Sequence, residues 1–177
     1  MTTFCFIRHG EMDASLGNTG FYRGFAWNMQ TLTEKGAEQI RETAEDPVLH
    51  DAELIVTSPY GRALHSAAIL SRALDLEIRV ETGLHEWLAD TETYAYVSDE
   101  QARAFYHALT ENNGNHPAGE HCTWESADQM KARVTAVLEK YTGYRKVIVV
   151  CHGTLMQYVL GIPHPENGQI ALLAYGG

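Results

Sequence analysis

Two histidines, each at the end of an apolar run, are the residues of this chain best placed to do chemistry. Residues 3–7 read as a strand and lead into Arg8-His9-Gly10-Glu11. Residues 146–151 read as a second strand and lead into His152-Gly153. In an open α/β sheet, ligands bind in the crevice beyond the carboxyl ends of the strands. Such a sheet would bring two imidazoles and the Arg8 guanidinium towards one point, although the histidines lie near opposite ends of the sequence. Imidazoles beside a guanidinium suit an anionic substrate, with histidine as the nucleophile.

Two more strand-like runs add to the set. Residues 53–57 end at Ser58, and Arg62 falls in the first turn of the helix that follows. Arginine is usually a solvated surface residue, but a place one turn after Ser58-Pro59 favours anion binding at a helix N-terminus. Residues 77–80 are followed after a short turn by Glu86, with Glu81 and Glu92 as competing carboxylates. Phosphoryl transfer needs such parts. Guanidiniums neutralise the phosphate oxygens with forked hydrogen bonds. A neutral imidazole attacks phosphorus, a carboxyl group protonates the leaving oxygen and then activates water, and a second imidazole steadies an equatorial oxygen. In this reading the guanidiniums replace the usual divalent ion, so no metal and no cofactor is expected. His116 and His121 share a loop with Pro117 and Gly119 but have no organised third ligand, so they do not read as a metal site. His65, His85, His107 and His164 read as surface or packing residues, although His85, beside Glu86, could contact substrate.

The elements that must position these groups alternate. Strands are expected at 3–7, 53–57, 77–80, 146–151 and 169–175. The first and fourth are nearly continuous apolar runs, as central strands covered on both faces should be. Helices fall between them. One follows Thr33 as N-cap, with Ala37, Ile40 and Ala44 on one face. One opens at Ser58-Pro59 as N-cap and N1, with Ala63, Ala67, Leu70 and Leu74. One opens at Ser98-Asp99, with Ala102, Phe105, Tyr106 and Leu109. One carries Ala127, Met130, Val134, Val137 and Leu138. A short fifth runs from Gly153 to Leu160 and ends at Gly161 and Pro163. Strand and helix in alternation predict an α/β three-layer sandwich, with a mostly parallel central sheet and helices on both faces. One domain, 1–177, is expected, with a lid-like insertion at about 87–120. Within that insertion Phe105 and Tyr106 read as a small satellite core, while Trp87, Tyr94 and Tyr96 could line the leaving-group side of the pocket. Phe21, Tyr22 and Arg23 are candidates there too, and Arg23 could bind a second anionic group.

Composition bounds the partners. The chain has 177 residues and a formal net charge of -10, with 45% hydrophobic and 20% charged residues. That balance suits one soluble domain and argues against nucleic acid or an anionic membrane as partner. No apolar stretch approaches the roughly 20 residues that span a bilayer. The sequence opens without a signal-peptide pattern. Three cysteines form no CxxC pair, so reduced thiols and a cytoplasmic home are expected. The last strand could sit at a sheet edge and mediate a homodimer.

The constellation resembles the histidine phosphatase superfamily, the phosphoglycerate mutase-like fold. The likeness lies in Arg8-His9-Gly10-Glu11, Leu32-Thr33-Glu34-Lys35-Gly36, Ser58-Pro59-Tyr60-Gly61-Arg62-Ala63, Leu84-His85-Glu86 and Cys151-His152-Gly153, in the family's order. By that resemblance His9 becomes phosphohistidine. Arg8, Arg62 and His152 form the phosphate pocket, with Gly153 beside them. Glu86, rather than its neighbours, is the proton donor and later the base. Glu11 and Asn18 match positions at the pocket's edge, although Met12-Asp13 stands where relatives often carry Thr and an early Asn. Glu125-Ser126, with Asp128 and Arg133, resembles the helix start that follows the family's lid. The implied function is a metal-independent phosphatase acting on a small phosphomonoester. The alternatives are phosphoglycerate mutase-type transfer and a non-catalytic phospho-ligand binding module. Mutase relatives are typically longer, and this chain is short, acidic and poor in lysine near the site.

Overall fold

The computed structural model describes residues 1–15, 24–94 and 97–176. Five strands form one sheet: β1 (Thr2–Arg8), β2 (Leu54–Thr57), β3 (Ile78–Val80), β4 (Lys146–Cys151) and β5 (Ile170–Tyr175). Their order is β3-β2-β4-β1-β5. All neighbours pair in parallel except β5, which runs antiparallel to β1 along one edge. The helices are α1 (Glu34–Ala44), α2 (Gly61–Leu74), α3 (Asp99–Glu111), α4 (Ala127–Glu139) and α5 (Gly153–Leu160).

The apolar runs become the two central strands because both of their faces are covered. One parity of β1 and β4 (Cys5, Ile7, Ile148 and Val150) packs with Ile40 and Ala44 of α1 and Ala63, Ala67 and Leu70 of α2. The other parity (Phe4, Phe6, Val147, Val149 and Cys151) packs with Val134, Val137 and Leu138 of α4 and Leu155 and Met156 of α5. The expected three-layer α/β sandwich follows from these two cores. α3 stands apart, and Leu109 is its one buried residue.

Local signals set most boundaries. Thr33 caps α1 by accepting from the Gly36 amide. Ser126 and Gln129 close a reciprocal capping box at α4. Gly161 ends α5 in the left-handed region. One boundary differs from expectation. α2 begins at Gly61 with Tyr60 as its N-cap, not at Ser58-Pro59, and no side chain caps it. The Ser58 hydroxyl oxygen accepts instead from the Tyr60 amide, just before the helix, and faces His152. Cys5, Cys122 and Cys151 are all unpaired, and burial pushes the Cys5 thiol up to about 11. Among the described residues no helix is long and apolar enough to cross a membrane.

Candidate active site

Sheet register creates the site. β1 and β4 pair in parallel with Arg8 opposite Cys151. The next residue of each strand is therefore His9 and His152, side by side, and the His9 amide donates to the Cys151 carbonyl at 3.1 Å. Adjacent strands lie roughly 4.8 Å apart. The two imidazole centroids are 5.2 Å apart, edge to face, as that spacing requires.

His9 is buried, with 7% of its surface exposed. Its Nδ1 lies 2.7 Å from the Gly10 carbonyl oxygen. A carbonyl can only accept, so Nδ1 carries the proton and Nε2 is left with its lone pair. Arg62 Nε donates to that lone pair at 3.1 Å. Burial first, and the Arg62 guanidinium second, push the His9 imidazole down to about 3. A side chain at Gly10 would lie 2.2 Å from the Gly36 carbonyl oxygen, and one at Gly36 would lie 2.2 Å from that of Glu11. The signature loop and the start of α1 thus touch backbone to backbone, which explains both glycines at once.

His152 is completely buried, and burial, Arg62 and His9 hold it well below the usual imidazole range. Its Nε2 lies 2.7 Å from Ser58 Oγ. Ser58 Oγ also accepts from the Tyr60 amide at 3.3 Å, so its hydroxyl proton is free to go to His152. His152 Nδ1 has no hydrogen-bond partner among the described residues, and neither has Arg8 Nε. Buried polar atoms without partners are rare and point to a ligand or water.

Arg62 reaches the histidines from α2, 7% exposed, with its guanidinium 5.0 Å from the Tyr60 ring centroid. Arg8 comes from the opposite side, its Nη1 donating to the Pro165 carbonyl at 2.5 Å. Glu86 follows a 3-10 turn at Thr82–Leu84. Its carboxylate accepts from the amides of Trp87 (2.9 Å), Thr154 (3.2 Å) and Leu155 (3.0 Å), the last two from the first turn of α5. Gly153 begins that helix. A Cβ there would lie 2.5 Å from His164 Cε1 and 3.2 Å from Arg8 Nε.

Arg8, His9, Arg62, Glu86, His152 and Gly153 therefore assemble as the sequence suggested. One expectation changes. Glu11 turns away to α1, with its carboxylate on Thr33 Oγ1 and Lys35 Nζ at 3.0 and 2.8 Å. The Tyr106 ring packs edge to face on Trp87 at 5.8 Å, in keeping with a packing role. His164 is an exposed residue, as its sequence context suggested, with its Nδ1 3.2 Å from Gln157 Oε1 and its ring beside Gly153. Asn18, Phe21, Tyr22, Arg23 and Tyr96 lie outside the described residues. His116 Nε2 bonds the Trp124 carbonyl, whereas His121 pairs with Glu92. Among the described residues no three His, Cys, Asp or Glu side chains group as a metal site.

Sequence reasoning missed the scaffolding of the site. Asn167 Nδ2 donates to the His9 carbonyl at 2.8 Å, and the Gly168 amide donates to that of Arg8 at 3.0 Å. The Asn-Gly dipeptide was the available signal for that turn. Arg133 of α4 donates to both oxygens of buried Glu125, at 2.5 and 3.0 Å, and to the Gly83 carbonyl at 2.7 Å. The Trp87 indole then donates to the Glu125 carbonyl at 2.7 Å. This clamp grips the segment on both sides of Glu86. Breaking one half of a buried pair costs about 3–5 kcal/mol, because the other charge is left alone. Arg133→Met should lower the unfolding free energy by about 3 kcal/mol in a urea titration. It should also lower kcat on the surviving folded fraction. An unchanged midpoint would mean that the clamp does not hold the segment.

Comparisons with known proteins agree with this architecture. The model of the histidine phosphatase superfamily (branch 1) matches residues 4–167. The uncharacterized phosphatase PhoE of Bacillus subtilis (strain 168) is 27% identical over 172 residues, covering 90% of this chain and 76% of that protein. Among solved structures, a mycobacterial glucosyl-3-phosphoglycerate phosphatase superposes with a TM-score of 0.69 at 22% identity, over 98% of this chain and 91% of that one. The alpha-ribazole phosphatase of Shigella flexneri gives 0.66 at 22% identity, over 99% and 91%. At such identities the two structures speak for the fold.

Proposed function

The chain belongs to the histidine phosphatase superfamily (branch 1), and from that premise we propose that it is a metal-independent phosphatase that hydrolyses a small phosphomonoester through a phosphohistidine on His9. The observation that carries this reading is the state of the His9 ring. Its Nδ1 proton is tied to the Gly10 carbonyl, Nε2 keeps its lone pair, and burial keeps the ring neutral far below neutral pH. A nucleophile must be unprotonated at its attacking atom.

The neighbouring groups support the remaining steps. Arg62 moves its donors from His9 Nε2 to the phosphoryl oxygens as the substrate enters, and Arg8 meets the same oxygens from the other side. His152, receiving the Ser58 hydroxyl proton at Nε2, keeps a proton on Nδ1 and donates it to an equatorial oxygen. Nε2 of His9 bonds to phosphorus as the ester P–O bond breaks, and Glu86 gives a proton to the departing oxygen. The carboxylate so formed takes a proton from water. The water oxygen attacks the phosphohistidine, the P–N bond breaks, and inorganic phosphate leaves. Two guanidiniums carry the charge that a divalent ion carries in other phosphoryl-transfer sites.

The test is phosphate release over a panel of phosphomonoesters with and without EDTA. Release that survives EDTA supports the proposal, and a loss restored by zinc or magnesium would overturn metal independence. Glu86→Gln sharpens it. General acid catalysis contributes about 10²–10⁴-fold, chiefly where the leaving oxygen is basic. The variant should lose about that factor on an alkyl phosphate and far less on p-nitrophenyl phosphate. Equal losses on the two would remove Glu86 from the role of acid.

A further inference from the structure

Beside the phosphate groups lies a cavity of about 910 Å³ that the phosphoryl chemistry does not use. Its walls include Trp27, Tyr60, Trp87, Leu88, Tyr94 and Val97. Three observations connect it to the leaving-group side of the reaction. Tyr60, in its wall, has its ring 5.1 Å from that of His152 and also stacks under Arg62. His85, also in the wall, is the residue before Glu86 and lies 6.4 Å from the Tyr60 ring. Trp87 is the residue after Glu86 and donates its amide to that carboxylate. An acid that protonates the leaving oxygen must face the alcohol half of the substrate, so the alcohol half has to lie where Glu86 and its two neighbours look.

The chemistry of the walls restricts that alcohol. No Lys or Arg lines the cavity among the described residues. Burial, and then Arg133, push His85 below the usual imidazole range, so it adds no cation at neutral pH. Asp90 accepts from the amides of Glu92 and Thr93 within its own turn. Among the described wall residues, none offers a counter-charge to a second anionic group. By contrast, Tyr94 is 73% exposed and Trp27 37% exposed, two large rings open to a hollow of ligand size. Such rings stack on planar apolar groups.

We infer that this cavity is the leaving-group subsite and that it takes an uncharged alcohol with an aromatic or comparably flat apolar body, rather than an acid such as a phosphoglycerate. This inference rests on the phosphatase reading, and two measurements separate the two claims. The first is affinity of the wild-type protein for 2-phenylethylphosphonate against ethylphosphonate, by calorimetry; neither can turn over. Binding at least about tenfold tighter for the aromatic compound supports the subsite, since apolar pockets discriminate single methylenes by about that factor. Equal affinities overturn it. The second is kcat/KM for 2-phenylethyl phosphate, ethyl phosphate and 3-phosphoglycerate, all esters of alkyl alcohols. The expected order is the one just written, with at least about tenfold between the first and second. A preference for 3-phosphoglycerate overturns the subsite. No release from any ester overturns the phosphatase reading and leaves the phosphonate ratio to decide the subsite. In the doubly substituted protein, Trp27→Ala with Tyr94→Ala, the aromatic-to-ethyl ratio should fall towards 1 in both measurements, and a ratio unchanged from wild type would place recognition elsewhere.

Discussion

His9→Ala should lower kcat/KM for every phosphomonoester by at least about 10⁴-fold, in line with the loss when a nucleophile is deleted from an assembled site. Among the described residues it has no substitute within reach. His152 is the nearest imidazole, but its Nε2 is committed to Ser58 and its ring is wholly buried. Brief mixing of the wild type with a radiolabelled ester should leave an acid-labile, alkali-stable label on the protein, and His9→Ala should carry none. Label at full stoichiometry on the variant would sink the assignment.

The same substitution has a thermodynamic signature. Burial holds His9 neutral to about pH 3 in the fold, whereas an unfolded histidine titrates near 6.5. Between those values the unfolded chain holds a proton that the native chain lacks at this site. Stability from His9 is therefore intact above pH ~6.5 and declines as pH falls towards about 3. His152 acts in the same direction. Removing His9 should make the fall of unfolding free energy between pH 6.5 and 4.5 shallower, by up to one proton's worth of slope. Parallel slopes in wild type and variant would mean that the native ring is protonated.

Arg62→Ala is the second large effect, expected at about 10²–10³-fold in kcat/KM, the scale seen when one charge-stabilising donor is removed from a preorganised site. Arg62 is a buried cation that faces a nitrogen lone pair and an aromatic ring in the free protein, with no carboxylate bonded to it among the described residues. Such a charge is poorly solvated until a phosphate arrives. Its removal relieves that desolvation, so the melting temperature should stay level or rise while activity collapses. A structural arginine would show the opposite. It is also the second cause of the depressed His9 ring, so the acid limb of kcat/KM should shift towards neutral pH in the variant. Arg62→Lys should recover only part of the loss, because a point charge lacks the guanidinium fork. Full recovery would reduce Arg62 to a source of positive charge.

The parts of the fold written in local patterns were readable in advance. The continuous apolar runs of β1 and β4, Thr33 as a cap, and Gly161 as a stop each depend on a few neighbouring residues. The chemical groups at strand ends were readable for a related reason: parallel pairing puts the carboxyl ends on one edge whatever the loops do. What was not readable depends on partners remote in sequence. Ser58 looked like the cap of α2, yet it holds the Tyr60 amide before that helix begins and also meets His152 from the end of β4. Glu11 looked like a pocket residue, but Lys35 and Thr33 draw it to α1. Propensity and periodicity carry no information about such meetings.

The register of β1 against β4 has an evolutionary consequence. Because Arg8 pairs with Cys151, the interval between the two reacting imidazoles is a repeat distance of the sheet and owes nothing to any loop. The aromatic rings around the neighbouring cavity come instead from 3-10 turns, coil and helix ends. Mutation can redraw those surfaces freely while the bond-making geometry is inherited unchanged. The spacing of the two imidazoles and the make-up of the cavity walls are thus set by separate parts of the chain, so the walls can change without moving the pair.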